Sequence, residues 1–248
     1  MSNIGRIIGK MVGVTLVAAL LVTAVAWGVR MRPLEKPCRT ITYIIEDREE
    51  RLYLTESELD QMLLAEKIYP VGRVLDRGVL HRIEQTVKQH PMVRTAQCYM
   101  TPRGEVRVRL TQRVPLLLVS MPGDSYFVDT DRKVMPVRVL VKDEVLKVTG
   151  AVGIQMACKT MGDFAEWLQD NDYWRQRIRY VQVKNPQMVY VYLAEERVVM
   201  GAMSRYEQKL AKLRTFLENG AEAIQDKHYY ELDVRFKGQV IGRWQGDK

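Results

Sequence analysis

Histidines, cysteines and closely spaced carboxylates are the residues of this chain that could do chemistry. His81 and Glu84 are spaced i, i+3, which would place an imidazole and a carboxylate on one helix face as two ligands for a metal ion. No third ligand or orienting group is evident, and His90 and His228 are scattered. The pattern therefore favours a surface pair over a metal site.

Two aspartates form the second chemical candidate. Asp129 and Asp131 flank a hairpin turn, where paired carboxylates could exchange protons but where aspartate also commonly shapes the turn itself. The turn-forming interpretation is favoured. The sequence also contains no G-x-S-x-G, P-loop or H-E-x-x-H motif. We therefore predict no catalytic residue, no metal ligand and no cofactor, although an unfamiliar enzyme would carry none of these motifs.

The cysteines form the third candidate. Cys38, Cys98 and Cys158 are odd in number and contain no C-x-x-C spacing. Three cysteines permit at most one disulfide, so they support neither a disulfide framework nor a metal site. Buried or free thiols are the favoured interpretation.

The charge distribution points to a membrane rather than to nucleic acid. The chain has 248 residues and a net charge of +8. Residues 1–39 hold six basic residues and one acidic residue, which is five of the eight net charges. This excess flanks an apolar segment, where it would contact lipid headgroups. There is no zinc-finger spacing or RNP-type motif, so we predict no nucleic-acid partner.

The apolar segment is Met11–Val29, nineteen residues without a charge. As a helix it would span about 28 Å, close to the thickness of the bilayer core. A single membrane anchor is favoured. A cleaved signal peptide is the alternative, because Ala24–Ala26 forms an A-x-A pattern. Two basic residues precede the segment and four follow it within ten residues, so charge alone leaves the orientation open.

Residues 41–112 predict a small α+β unit. Strands are predicted at "ITYIIE", "VRTAQCYM" and "EVRVRL", and helices at "TESELDQMLLAE" and "DRGVLHRIEQTVKQ". The order strand, helix, helix, strand, strand predicts two helices on one face of a three-stranded sheet. With a preceding membrane segment and the ending "EVRVRLTQRVP", this unit resembles a POTRA domain, a docking module without a catalytic group.

Residues 113–244 predict a mixed β-sheet domain with flanking helices. Two hairpins are expected in 115–137, a single helix at 162–179, three strands at 181–202 and a helix at 204–219. The last strand is predicted to run from Tyr229 to Trp244, because its even positions are largely apolar and its odd positions largely polar. Such a strand would reach about 50 Å, longer than a small domain covers.

The order of these segments resembles the FtsQ/DivIB family of bitopic bacterial division proteins. The resemblance is carried by "YFVDTDRKVMP", "LKVTG", "YEQKLAKLRTFL" and "LDVRFKGQVIG". It implies a cytoplasmic N-terminus and a large periplasmic part at the septal inner membrane. It leaves unexplained the basic residues 30–39. The expected domains are a tail, a membrane helix, a basic linker, a POTRA-like domain, a β-domain and a tail, at 1–10, 11–29, 30–40, 41–112, 113–244 and 245–248.

The resemblance also implies a scaffold rather than an enzyme. In the family the β-domain binds the FtsB–FtsL coiled-coil pair and so recruits the septal wall synthase complex, with no small-molecule substrate. The alternative is an envelope enzyme or sugar-binding protein that uses a POTRA-like unit for placement. Depletion would separate the two, because only the scaffold predicts filamentous cells and lost recruitment of partners to midcell.

The partner-binding surface that the resemblance implies lies around the last strand. It falls on Arg235, Phe236, Lys237, Gly238, Val240, Gly242 and Trp244. The residues themselves predict that Tyr230 to Phe236 is core and that the strand thins from Gly238, so that another backbone can approach. An edge of this kind can accept a partner strand. The simpler alternative is a last structural strand with a frayed tail.

Overall fold

The computed structural model describes residues 17–23, 37–121, 123–138, 145–219 and 229–244. Most of the predicted membrane segment, Met11–Val29, lies outside these ranges, and its described part, residues 17–23, is helical. Within the described ranges, no helix combines the length and apolar character needed to cross a membrane. The tail predicted at 245–248 also lies outside them.

A three-stranded sheet and two helices form the N-terminal part of the fold, in the predicted order. The elements are β1 (Thr40–Ile45), α1 (Glu56–Ala65), α2 (Arg77–Lys88), β2 (Val93–Met100) and β3 (Glu105–Gln112). β3 lies between β1 and β2, and β1 runs parallel to β3. Asp76 begins α2 by accepting a hydrogen bond from the Val79 amide.

The core of this part follows the predicted periodicities. Fully buried side chains come from one face of β3 and from one stripe on each helix, namely Val106, Val108, Leu110, Leu59, Leu63, Ile83 and Val87. Tyr43 on β1 donates to Asp60 on α1 at 2.7 Å. Burial and this carboxylate raise the pKa of Tyr43. The α+β prediction for this part is confirmed.

A nine-stranded mixed sheet forms the rest of the fold. Its strands are β4 (Pro115–Met121), β5 (Asp124–Asp129), β6 (Val134–Pro136), β7 (Leu146–Gly150), β8 (Tyr180–Asn185), β9 (Met188–Tyr192), β10 (Arg197–Gly201), β11 (Tyr229–Asp233) and β12 (Ile241–Trp244). They lie in the order β12-β11-β10-β9-β8-β7-β4-β5-β6. Three neighbouring pairs are parallel, namely β4 with β7, β7 with β8, and β10 with β11.

Helices from two segments contribute to the large hydrophobic core of this sheet. The first segment is α3 (Ile154–Met156), a π-helical turn (Ala157–Met161), α4 (Gly162–Gln169) and α5 (Asp172–Arg175), and the second is α6 (Tyr206–Asn219). Phe164, Trp174 and Leu210 are almost fully buried in this core with the valines of the central strands. The single helix predicted at 162–179 is wrong, because Asn171 has a non-helical backbone. The helix from 154 onward was not predicted.

The described chain forms two compact units, and two of the limits between them fall inside the strands β2 and β3. One unit consists of Glu56–Gln89, Ala96–Leu110 and the chain up to Glu46. The other consists of Asp47–Thr55, His90–Thr95 and the chain from Thr111 onward. The domain limits predicted from the sequence remain a prediction.

Candidate functional site

The C-terminal segment is a hairpin, so the prediction of one long strand is wrong. β11 ends at Asp233, and β12 returns antiparallel to it, with Glu231 opposite Arg243 and Leu232 opposite Gly242. Gly238 lies in the connecting turn with a φ of 71°, a conformation that costs glycine little and other residues more. The excess length of the predicted strand is therefore a turn and a second strand.

A half-buried lysine fixes the point where β11 ends. Lys212 on α6 donates from Nζ to the carbonyl of Val234 at 3.0 Å and to the carbonyl of Phe236. Burial lowers the pKa of Lys212. The ammonium group satisfies two backbone acceptors as the chain leaves the strand. The turn is thus held from the helix side of the sheet.

The predicted site residues all lie in this hairpin. Arg235, Phe236, Lys237 and Gly238 lie in the turn, Val240 lies at its end, and Gly242 and Trp244 lie in β12. β12 is the terminal strand of the sheet order, and within the described residues its neighbour is β11. The structure brings these residues together at one end of the sheet, but it places five of them outside any strand.

The burial pattern corrects the predicted core. Leu232 and Val234 are fully buried, as expected, whereas Tyr230 is 44% exposed and Phe236 is 47% exposed. Phe236 has left the strand for the turn, so it has no inner face on which to pack. The apolar surface of the hairpin therefore includes a phenylalanine that the alternation assigned to the core.

Gly242 is required by the hairpin itself. A Cβ atom at this position would stand 2.3 Å from the ring of Tyr229. That ring meets Phe216 of α6 edge-on at 5.8 Å and Trp244 at 6.2 Å between centroids. The sequence predicted that Gly242 leaves room for another backbone. The structure contradicts this, because the ring of Tyr229 occupies that space. This aromatic cluster attaches β12 to α6.

A buried carboxylate joins three neighbouring strands. Glu231 on β11 is 6% exposed and accepts from Arg197 Nε of β10 at 3.0 Å. Arg243 Nη1 of β12 lies 3.1 Å from its other oxygen. The hydrogen bond to Glu231 raises the pKa of Arg197. Two arginines share one carboxylate, so the row formed by Arg197, Glu231 and Arg243 carries a net positive charge.

A second ion pair lies where the chain leaves β11. Arg235 Nη2 lies 2.6 Å from Asp233, whose carboxylate also accepts from the Arg235 amide at 3.0 Å. Burial alone would raise the pKa of Asp233, but the hydrogen bonds and charge of Arg235, with the charge of Arg243, hold that pKa below its ordinary value. Both groups are therefore charged at neutral pH.

Two residues of this surface were missed from the sequence. Ile241 begins β12 and is 45% exposed, and it is the one apolar residue among the odd positions from 231 to 243. That break in the alternation was the available signal. Nothing in the sequence pattern indicated a role for Arg197, because only the pairing of β10 with β11 brings it to Glu231.

Two carboxylates first considered for chemistry, those of Glu84 and Asp129, have structural partners. Glu84 accepts from Lys88 at 2.8 Å and from the Cys98 amide at 3.1 Å, and the Lys88 hydrogen bond is the main cause of its lowered pKa. Asp129 accepts from the Lys133 amide across its turn. The three cysteines are free. In the described part of the chain, no group of three or more potential ligands could hold a metal ion.

Comparison with protein families identifies both parts of the chain. Residues 36–111 match the POTRA-like domain, which defines the class of the N-terminal part. Residues 114–243 match the family described as FtsQ/DivIB, C-terminal related. This second match covers more than half of the sequence, and the chain belongs to the FtsQ/DivIB family. A comparison with curated protein sequences gave no match.

Family membership carries a general functional meaning. FtsQ/DivIB is a family of non-enzymatic division scaffolds, which suggests protein partners in the division complex. It also implies a membrane protein of the division septum. The sequence-based identification of the family is thus confirmed.

Proposed function

We propose that this protein is a divisome scaffold that binds the FtsB–FtsL pair by strand addition at β12 and so recruits the septal wall synthesis machinery. The family domains support a scaffold role. The specific partners and the mode of binding are our proposal.

The observation that carries this proposal is the position of β12. It is the terminal strand of a nine-stranded sheet, and within the described ranges it pairs with β11 on one side. An edge strand presents N–H and C=O groups that another strand can bond. Ile241 and Phe236 add exposed apolar side chains beside that edge. The edge thus offers both main-chain bonding and apolar contact.

The charges around the edge favour an acidic partner. Arg243 shares Glu231 with Arg197 and is 63% exposed, so its guanidinium keeps hydrogen-bonding capacity. Lys237 in the turn is exposed. Positive side chains on an edge also discourage pairing between two copies of the same strand. We therefore propose a partner strand with carboxylates placed towards Arg243 and Lys237.

We propose further that Met11–Val29 anchors the chain in the inner membrane with residues 1–10 in the cytoplasm. The support is the uncharged sequence of this segment and the membrane character of the family. N-terminal sequencing of the mature protein tests the anchor. A new terminus at Trp27 would show that the segment is a cleaved signal peptide.

A matched pair of isoleucine substitutions tests the binding edge. Ile241→Glu places a negative charge on β12, and we expect at least about a tenfold loss of FtsB–FtsL capture from a desolvated apolar contact. Ile154→Glu is the control, because Ile154 is 62% exposed at the start of α3. Both variants should keep the unfolding midpoint of the parent. Equal capture by the two folded variants would contradict the proposal.

Crosslinking tests strand addition separately from side-chain contact. A photo-crosslinking amino acid at Ile241 and then at Arg243 should capture partner positions two residues apart, because paired strands advance in step. Crosslinks from both sites to one partner residue, or to a helical spacing of three or four, would argue against an added strand.

A further inference from the structure

The loop between α1 and α2 exposes two valines. Val71 is 39% exposed and Val74 is 66% exposed. The loop is nevertheless well defined, because the Arg73 amide donates to the Pro70 carbonyl at 3.1 Å and Gly72 adopts a φ of 81°. A fixed loop that presents two apolar side chains to solvent is a candidate contact surface.

This loop is bonded to the segment that follows the predicted membrane anchor. The Cys38 amide donates to the Arg73 carbonyl at 2.8 Å, and the Gly72 amide donates to the Cys38 carbonyl at 2.8 Å. Pro37 follows Val29 by eight residues, which can span at most about 28 Å. The loop therefore cannot lie far from the surface of a membrane that holds Met11–Val29.

Basic residues lie in this loop and in the segments bonded to it. Lys67 and Arg73 lie in the loop, where Arg73 Nη1 donates to the Lys67 carbonyl at 2.8 Å. Arg39 donates its amide to Gly104 at 2.8 Å, which brings it beside the β2–β3 turn that carries Arg103. All four side chains are exposed, and none forms an ion pair within the described ranges. No acidic residue occurs between Lys67 and Leu75.

We propose that this surface rests on the anionic face of the membrane. Val71 and Val74 enter the headgroup region, while Lys67, Arg73, Arg39 and Arg103 contact lipid phosphates. Arg39 is the last of the basic residues whose position after the apolar segment the family resemblance leaves unexplained. The contact would fix the height and tilt of the POTRA-like part above the bilayer. It rests on the membrane anchorage in the proposed function.

The test uses the full-length protein in vesicles of phosphatidylethanolamine and phosphatidylglycerol. A fluorescent amino acid sensitive to polarity replaces Val74, or, as the control, the exposed Gln89. Gln89 follows the far end of α2, about 18 Å from its first residue. We expect a blue shift and quenching by spin-labelled lipid at position 74, and neither effect at position 89. The double variant Lys67→Glu, Arg73→Glu should remove both effects at position 74.

Three results would overturn the inference. One is emission from position 74 that matches position 89 in the vesicles. Another is a shift that persists in the charge-reversed variant or in vesicles of phosphatidylcholine alone. The third is a shift that arises only when the FtsB–FtsL pair is added, which would identify the loop as a protein contact.

Capture of the FtsB–FtsL pair by the same vesicles separates this inference from the proposed function. The charge-reversed variant should capture the pair as the parent does, because Lys67 and Arg73 lie in the other unit from β12. Failed capture by both proteins, with the shift at position 74 intact, would count against the proposed function alone. Normal capture without the shift would overturn this inference alone.

Discussion

The two terminal strands of the nine-stranded sheet, β6 and β12, differ in sequence and in exposure. β6, at one end, has three residues, ends in Pro136, buries Met135 completely and exposes Val134. β12, at the other end, has four residues, contains no proline and exposes Ile241. Proline lacks the N–H that a further strand would need. The β6 edge is therefore protected by its own sequence.

The comparison shows that an edge strand with exposed side chains needs contacts to the rest of its own domain to stay in place. β12 is held by the aromatic cluster of Tyr229, Phe216 and Trp244 and by the shared Glu231. These contacts join β12 to β11, β10 and α6, so within the described residues the strand is held by its own domain. An ordered edge loses less conformational entropy on binding than a frayed one.

The largest expected effect is a difference in the free energy of unfolding between substitutions in β6 and in β12. Met135→Ala should lower the free energy of unfolding by about 2–5 kcal/mol, because it leaves a cavity in the core. Ile241→Ala should change it by less than about 0.5 kcal/mol, because the side chain is half exposed. Urea unfolding of both variants measures the contrast.

The same two variants should show the opposite order in partner capture. Folded Met135→Ala protein should capture the FtsB–FtsL pair normally, whereas Ile241→Ala should weaken capture. If Met135→Ala weakens capture more than Ile241→Ala at a temperature where both are folded, the contrast between the two edges fails.

A smaller effect is expected at the carboxylate that supports β12. Glu231→Gln removes the negative charge shared by Arg197 and Arg243, and charged hydrogen bonds of this kind contribute about 2 kcal/mol. Glu195→Gln is the control, because Glu195 is exposed and should tolerate the change within about 0.5 kcal/mol. Thermal unfolding checks the difference, and equal midpoints would show that the row does not hold the strand.

The smallest expected effect is an acid sensitivity of the hairpin. The pKa of Asp233 is lower in the folded protein than in the unfolded chain. The contribution of Asp233 is therefore complete above its unfolded pKa of about 3.9 and is lost as the pH falls through the lower, folded value. We expect at most about 1 kcal/mol, because Arg235 is partly exposed.

Unfolding measured from pH 6 down to pH 2 tests this effect. Asp233→Asn should be less stable than the parent at pH 6, and the gap should close in acid. Asp124→Asn provides the comparison, because Asp124 lies exposed at the tip of the β4–β5 hairpin. A gap at Asp233 that stays constant with pH would show that the loss is not electrostatic.

Local patterns predicted the regular elements well. The alternation in residues 105–110 gave the buried face of β3, and the apolar stripe of residues 206–217 gave α6. The order of elements in the N-terminal part was also predicted correctly. These successes depend on periodicities that a few neighbouring residues set by themselves.

The same alternation concealed the C-terminal hairpin. Paired residues of a hairpin share a face, and here Leu232 pairs with Gly242 and Glu231 with Arg243. Even positions pair with even positions, so the turn itself does not shift the period of two, and Ile241 alone departs from it after the turn. The pattern of two strands was therefore indistinguishable from that of one long strand, and Lys237-Gly238 was the remaining turn signal.

The sequence by itself determined the family, through the resemblance and order of its segments, and it determined the α+β class and the faces of most strands through local periodicity. Only the tertiary structure decided which described strands end the sheet, that Tyr229 fills the space beside Gly242, and that Arg197 meets Glu231. Each of these depends on residues far apart in the chain. Strand pairing and helix packing bring them together, and no local pattern encodes that pairing.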